Sequence, residues 1–202
     1  MRAIFLDIET TGLDASKHRP IDIGLKIVHV NSGCYTASYQ SILKIAPEAW
    51  ALRDPVSIDI NGFTWEQICT GKEVSNVGKE IITLFTEQGI QRGQAVFICQ
   101  NPAFDRGFFN QIIDVYTQER LNWPYHWLDL ASMFWALLVQ KSKQENIPFP
   151  EQIVISKNEI AKKYNLPPEA EPHRAIKGVE HLIQCYEAVL GVNFKALGGP
   201  SV

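Results

Sequence analysis

A chain of 202 residues with 46% hydrophobic and 20% charged residues and a net charge of −3 has the make-up of one ordinary globular domain, long enough to bury a core without staples. Its sequence pI of about 6.0 excludes a general basic field that would draw nucleic acid non-specifically, so any such contact has to be local or carried by bound metal. Cysteines at 34, 69, 99 and 185 form no C-x-x-C pair, which argues against a zinc site or disulfide framework and suits a reducing, cytoplasmic setting. No apolar run approaches the roughly 20 residues of a membrane span, and the first strand begins too early for a signal peptide to precede it.

The apolar run Ile4-Phe5-Leu6 and the turn signal Thr10-Thr11-Gly12 bound a buried strand. Ile21 to Val28 alternates as a second strand, and Tyr35 to Ile45 reads as a third after an Asn31-Ser32-Gly33 hairpin turn. Residues 46–76 are mixed, with short helices expected around Glu48–Leu52 and Trp65–Cys69. Val77 to Thr86 has helical spacing, closed by Gly89. Ala95 to Cys99 is a short apolar run expected as a central strand. Asn101-Pro102 then reads as a helix start with Asn as the cap, continued by Phe104, Phe108, Ile112 and Val115 at helical spacing. Trp127 to Val139 is expected as a helix capped by Asp129 or Ser132, followed by a polar loop from Gln140 to Pro150. Lys157 to Asn165 gives a short helix and Leu166 to Pro172 a loop. A clear amphipathic helix from Ala175 to Leu190 is stopped by Gly191. Strands first, then alternating strands and helices, imply an α/β fold with a mixed sheet covered by helices. The domain is expected over residues 1–191, with 192–202 as a frayed tail.

Three clusters carry chemistry. Asp7 and Glu9 are two apart on the first strand, so both project to one face near its end. Two buried carboxylates left unpaired would cost several kcal/mol. A hard divalent cation such as Mg²⁺ removes that cost; a strand edge open to water would remove it too. Asp105 falls in the first turn of the helix after Ala95–Cys99, where an acid also meets the positive helix end. His173 opens the last helix after a proline-bearing loop, where an imidazole can act as a general base near neutral pH.

The blocks Asp7-Ile8-Glu9-Thr10-Thr11-Gly12-Leu13, Asn101 to Phe109 and His173-Arg174-Ala175 strongly resemble, in order and spacing, the three motifs of the DnaQ-like DEDDh 3′–5′ exonucleases. That family includes polymerase proofreading subunits, ribonuclease T and oligoribonuclease, and the resemblance spans roughly residues 2–191. It implies a ribonuclease H-like fold and two Mg²⁺ or Mn²⁺ ions. Asp7 would bridge both ions, Glu9 would hold one, Asp105 would support the second, and His173 would take the proton from the attacking water. Thr10, Thr11, Gly12 and Leu13 would cradle the terminal nucleotide, with Asn101 and Phe104 in the same pocket. The implied partners are 3′ ends of DNA or RNA, in repair or RNA processing, with a homodimer or a polymerase partner as further options. Asp22 stands where the family usually has Glu.

The third motif departs from the family pattern H-x-A-x-x-D. Gly178 occupies the place of the fourth carboxylate, which in the family binds the same metal as Glu9. Glu180 faces the wrong way round the helix, His181 lies a turn away, and Glu171 on the preceding loop is conceivable as a substitute. Gly178 could also leave room for a water or a substrate group. Two readings follow: an exonuclease with a weakened metal site, or a degenerate module that binds nucleic acid or a protein without cutting. A Gly178→Asp change is the discriminator between them. A phosphatase with a nucleophilic Asp7 is disfavoured, because such enzymes place Asp rather than Glu at the second position.

Overall fold

The structure is a computed structural model, and it describes residues 1–195. The first strand, β1 (Arg2–Thr10), pairs antiparallel with β2 (Pro20–His29), which pairs antiparallel with β3 (Cys34–Lys44). Gly33 in the β2–β3 hairpin takes φ 66°, a left-handed conformation that costs glycine nothing. Three short helices follow: α1 (Pro47–Ala51), α2 (Pro55–Asn61) and α3 (Trp65–Cys69). A two-residue strand, β4 (Lys72–Glu73), then leads into α4 (Val74–Glu87). Next come β5 (Ala95–Cys99), α5 (Pro102–Ile112), α6 (Val115–Arg120), β6 (Trp127–Asp129) and α7 (Leu130–Glu145). The last two helices are α8 (Lys157–Lys163) and α9 (Ala175–Leu190). The strands form one mixed sheet in the order β4-β3-β2-β1-β5-β6, with β5 parallel to both β1 and β6.

Side-chain alternation along β1 supplies two cores at once. Ile4, Leu6 and Ile8 point to the layer that holds Val77, Ile81 and Phe85 of α4 and Phe108 and Phe109 of α5. Ala3 and Phe5 point to the opposite layer, with Leu130 and Phe134 of α7, Ile160 of α8 and Val179, Leu182 and Ile183 of α9. By the same period of two, Asp7 and Glu9 continue the α9 side of the strand.

Several boundaries differ from the sequence reading. Residues 127–129 are a strand paired with β5, because Trp127 stacks on Phe97 at 4.1 Å; the helix begins after them and runs on to Glu145, into the expected loop. Asp129 caps it as expected, accepting from the Ala131 and Ser132 amides. Helices α2 and α6 were not expected, since each is too short to show a full apolar period. Asn101 does not cap α5 with its side chain. It adopts φ 56°, ψ 65°, and its amide donates to Asp129 at 3.0 Å. The tight turn from β5 into α5 needs a left-handed residue, which Asn tolerates better than most. Of the expected tail, residues 192–195 are packed: Phe194 lies against Phe5 and Tyr186, and Lys195 bonds to Gly33. The remainder of that tail, residues 196–202, lies outside the described residues.

Helix α9 sits directly on β2. A Cβ added at Gly24 would stand 2.5 Å from the Ile176 amide nitrogen, so only glycine permits this approach. Asp22, fully buried, accepts from the Ala175 amide at 2.9 Å and ties the helix start to the same strand. Substituting Gly24 by Val is expected to push α9 off the sheet and cost about 1–3 kcal/mol or more, seen as a lower midpoint in chemical denaturation.

Candidate active site at the carboxyl end of the first strand

Pairing of β1 with β5 stops at Phe5 opposite Ile98, while pairing with β2 continues through Glu9 opposite Asp22. Past residue 5, β1 therefore has one edge free, above the point where β5 turns into α5. Ligand sites of α/β sheets lie at such carboxyl ends. Asp7 and Glu9 are here, partly buried. Asp105, in the first turn of α5 and 3% exposed, stands beside Asp7. His173 comes near enough to Asp7 to act on its charge. The structure thus places Asp7, Glu9 and Asp105 at one end of the sheet, with His173 within reach of the Asp7 charge.

Electrostatics bind them into one unit. Burial and the neighbouring charges of Asp7 and Glu169 push the Glu9 carboxyl up to about 8. Burial, and then the Asp7 charge, hold Asp105 well above the usual carboxylate range. Asp7 is also raised by burial, with Lys157 and His173 working against the shift and Glu169 adding to it. Burial lifts Asp22 to about 6, although the Ala175 amide and Arg174 partly offset it.

Two of these partners, Lys157 and Glu169, escaped the sequence reading. Lys157 is the first residue of α8 and Glu169 lies on the loop between α8 and α9. The ammonium is 2.8 Å from Glu169 Oε2 and 3.6 Å from Asp7 Oδ1, and all three side chains are largely buried. It also donates to the Gly178 carbonyl at 3.4 Å. Burial opposes its charge, but Asp7 and Glu169 outweigh that and hold its pKa above the ordinary value. The loop is fixed to α8 by the Glu169 amide donating to Asn158 at 2.9 Å, and the segment before α8 is held by Gln100 donating to the Ile155 carbonyl at 2.9 Å. One signal was available: a lysine at a helix N-terminus opposes the helix dipole and calls for nearby carboxylates.

Gly178 leaves no room for a water or a substrate group. A Cβ there would stand 2.0 Å from Asp7 Oδ2 and 2.9 Å from Glu169 Oε1, so the Asp7 carboxylate fills the space that a side chain at 178 would occupy. The Gly178→Asp change is therefore a poor discriminator, because it displaces Asp7 and adds a like charge beside it. None of the substitutes weighed from the sequence fills the gap. Glu180 pairs with Lys26 and Lys177, His181 bonds to the Pro167 carbonyl at 2.9 Å, and Glu171 is exposed. The acid present is Glu169, whose Oε1 is buried without a hydrogen-bond partner.

The residues expected to cradle a nucleotide differ in exposure. Thr10 and Thr11 are buried, and their hydroxyls serve the turn itself. Thr10 Oγ1 donates to the Gly12 carbonyl at 2.8 Å, and Thr11 Oγ1 accepts from the Arg19 amide at 3.0 Å. Gly12 is also buried, under the His18 ring, which lies 2.5 Å from where a Cβ would be. Leu13, at 75% exposed, is the side chain this turn presents to solvent. Phe104 is half-buried against Phe108, 4.9 Å between rings, and Asn101 is exposed.

Helix α2 brackets the site. Asn61 donates to the Thr10 carbonyl at 3.0 Å, the Ile60 carbonyl accepts the His173 amide at 3.1 Å, and Arg174 donates to the Asn61 carbonyl while stacking on Phe63 at 4.1 Å. The turn after β1 and the histidine loop are thereby held to one helix. An open groove of about 690 Å³ runs beside it, lined by Val56, Asp59, Ile60, Glu171, Pro172 and His173.

The donor set suits a hard divalent cation in kind: oxygen ligands carrying surplus buried negative charge. Among the described residues, however, no three His, Cys, Asp or Glu side chains stand ready-made around one point. No helix among them is long and apolar enough to cross a membrane.

Comparison with known proteins agrees with this fold. The exonuclease family typified by RNase T matches residues 4–186. No curated protein sequence matches significantly. Among solved structures, exonuclease I superposes with a TM-score of 0.74 at 18% identity, over 95% of this chain and 41% of that one. A zinc-bound complex of Escherichia coli exonuclease I with single-stranded DNA gives 0.73 at 18% identity, over 94% and 40%. Cell-death related nuclease 4 (CRN-4) gives 0.69 at 15% identity, over 94% and 64%. The chain thus spans about two fifths of the length of exonuclease I.

The raised Glu9 pKa makes a signed expectation for the metal-free protein. A carboxyl whose pKa is higher folded than unfolded takes up a proton on folding, so its ionisation erodes stability as pH rises from about 4.5 to about 8. His181, lowered chiefly by burial, works in the opposite sense only below its ordinary value near 6.5. Thermal melts in EDTA should therefore show falling stability between pH 6.5 and 8, and Glu9→Gln should flatten that slope.

Proposed function

We propose, for a chain that belongs to the exonuclease family and has a DnaQ-like, ribonuclease H-like fold, that it shortens nucleic acid from the 3′ end and releases nucleoside monophosphates. The observation that supports this reading is that Asp7 and Glu9 stand on the free edge of β1, with Asp105 and His173 within reach of the Asp7 charge. A divalent cation such as Mg²⁺ or Mn²⁺ held by Asp7, Glu9 and Asp105 would supply Lewis-acid stabilisation and a lowered pKa for the attacking water. The protein's own part is positional. His173, anchored through its amide to Ile60, accepts the proton of that water. Water adds to the terminal phosphorus, the bond to the 3′ oxygen of the preceding nucleotide breaks, and a 5′-monophosphate leaves. In this reading exposed Leu13 and half-buried Phe104 contact the terminal base, with Asn101 in the same pocket. Such contacts read a chain end rather than a sequence, which suits DNA and RNA alike. The structural neighbours named for their oligonucleotide complexes are exonuclease I bound to 13-residue DNA strands.

One observation favours a second reading, in which the chain binds 3′ ends without cutting. Lys157 already neutralises part of the acid cluster, and no ready-made cation cage stands beside it.

A 5′-labelled single-stranded DNA or RNA, incubated with Mg²⁺ and then Mn²⁺, should give a ladder that shortens from the 3′ end. Asp7→Asn should slow it roughly a hundred- to a thousandfold, and His173→Ala by about a hundredfold or more. Bound but intact 3′ ends under all metal conditions would support the second reading. Gly178→Ala, which forces the Asp7 carboxylate aside, should lower the cleavage rate at least roughly tenfold, a loss of about 1.4 kcal/mol, while circular dichroism shows the fold retained.

A further inference from the structure

The geometry points to the Lys157 ammonium as a built-in cation that takes the place of one divalent ion, with Glu169 as its counter-carboxylate, so that the acid cluster holds a single metal. This rests on the exonuclease reading for its setting, and on the structure of the Lys157 pocket for its content.

Four observations converge. The ammonium lies between Asp7 Oδ1 at 3.6 Å and Glu169 Oε2 at 2.8 Å, with 11% of its side chain exposed. It reaches the Gly178 carbonyl at 3.4 Å, so it sits where the helix backbone, not a helix side chain, faces Asp7. A side chain at 178 would collide with both acids, and the absence of one is what lets Asp7 and Glu169 crowd this point. Lastly, Glu169 Oε1 is buried with no hydrogen-bond partner, which is costly for a group with only a structural task.

Charge explains why lysine and glycine go together. An acid at 178 would add a fourth negative group to Asp7, Glu9 and Asp105 and call for a second divalent ion. Here the fourth acid comes from the loop at Glu169, and it brings its own cation from the start of α8. The ammonium supplies one positive charge where a metal would supply two, and it offers no open coordination position. Lys157 is thus a positioning residue: it fixes the Asp7 carboxylate and leaves the outer oxygens of the cluster to one ion.

The test is a count of bound Mn²⁺ by electron paramagnetic resonance titration on the purified chain, free of nucleic acid. Wild type is expected to bind one ion per chain at this cluster, and Lys157→Met to bind one more, since Asp7 and Glu169 lose their partner. Thermal melts give a second readout that survives poor folding of the variant: saturating Mn²⁺ should raise the melting temperature of Lys157→Met by more than it raises that of wild type. In Lys157→Met/Glu169→Gln, with both charges gone, the count should return to one. Two ions in wild type, or no increase from wild type to Lys157→Met, overturns the proposal. Nuclease activity is scored separately. A one-to-two change without any cleavage leaves this inference standing and removes the exonuclease reading. Cleavage by a wild type that holds two ions does the reverse.

Discussion

Everything at the working end of this protein follows from concentrating like charge in a partly dry place. Around the end of β1, Asp7 lies within Coulombic reach of Glu9, Asp105 and Glu169, and Glu9 within reach of Glu169; Lys157 is the cation between Asp7 and Glu169. Carboxylates so placed either keep their protons or gather a cation. The raised pKa values of Asp7, Glu9 and Asp105 express that surplus. The sheet makes that surplus tolerable by fixing it. β1 is locked between β2 and β5 and covered on both faces by apolar layers, so the acids cannot drift apart to relieve their repulsion.

Close backbone approach does the rest. Gly24 lets α9 lie directly on β2, and Asp22 seals the start of that helix. The helix then presents Gly178 to Asp7 with no side chain between them. Two glycines on different elements are thus parts of one arrangement: one seats the helix and the other makes room for the acid below it. On the far side, α2 holds the Thr10–Gly12 turn and the histidine loop together through Asn61, Ile60 and Arg174. The candidate site residues come from β1, α5 and the loop before α9, and the α2 bracket ties the turn after β1 to that loop.

This arrangement also reassigns the threonines. A Thr-Thr-Gly turn after paired acids looks like a polar surface offered to a ligand. Folded, its hydroxyls are spent on the turn's own backbone, and Leu13 is left exposed. A short turn that must hold one exposed apolar side chain in place has few other donors with which to brace itself.

The sequence by itself determined the mixed α/β architecture, the first three strands and the long last helix with its Gly191 stop, and it named Asp7, Glu9, Asp105 and His173 as candidates. These rest on local periodicity or on contiguous motifs, both of which a linear string displays. It did not show α2, too short to display a period, or the strand at Trp127, fixed by stacking on Phe97. Nor did it show that position 178 is filled from elsewhere. Lys157 and Glu169 lie 21 and 9 residues from Gly178 with no motif to join them. Only the packing of α8, its following loop and α9 against β1 put the Asp7 carboxylate where a side chain at 178 would stand, with Glu169 and Lys157 against it, because burial and charge balance are settled in three dimensions between residues that have no reason to be near one another along the chain.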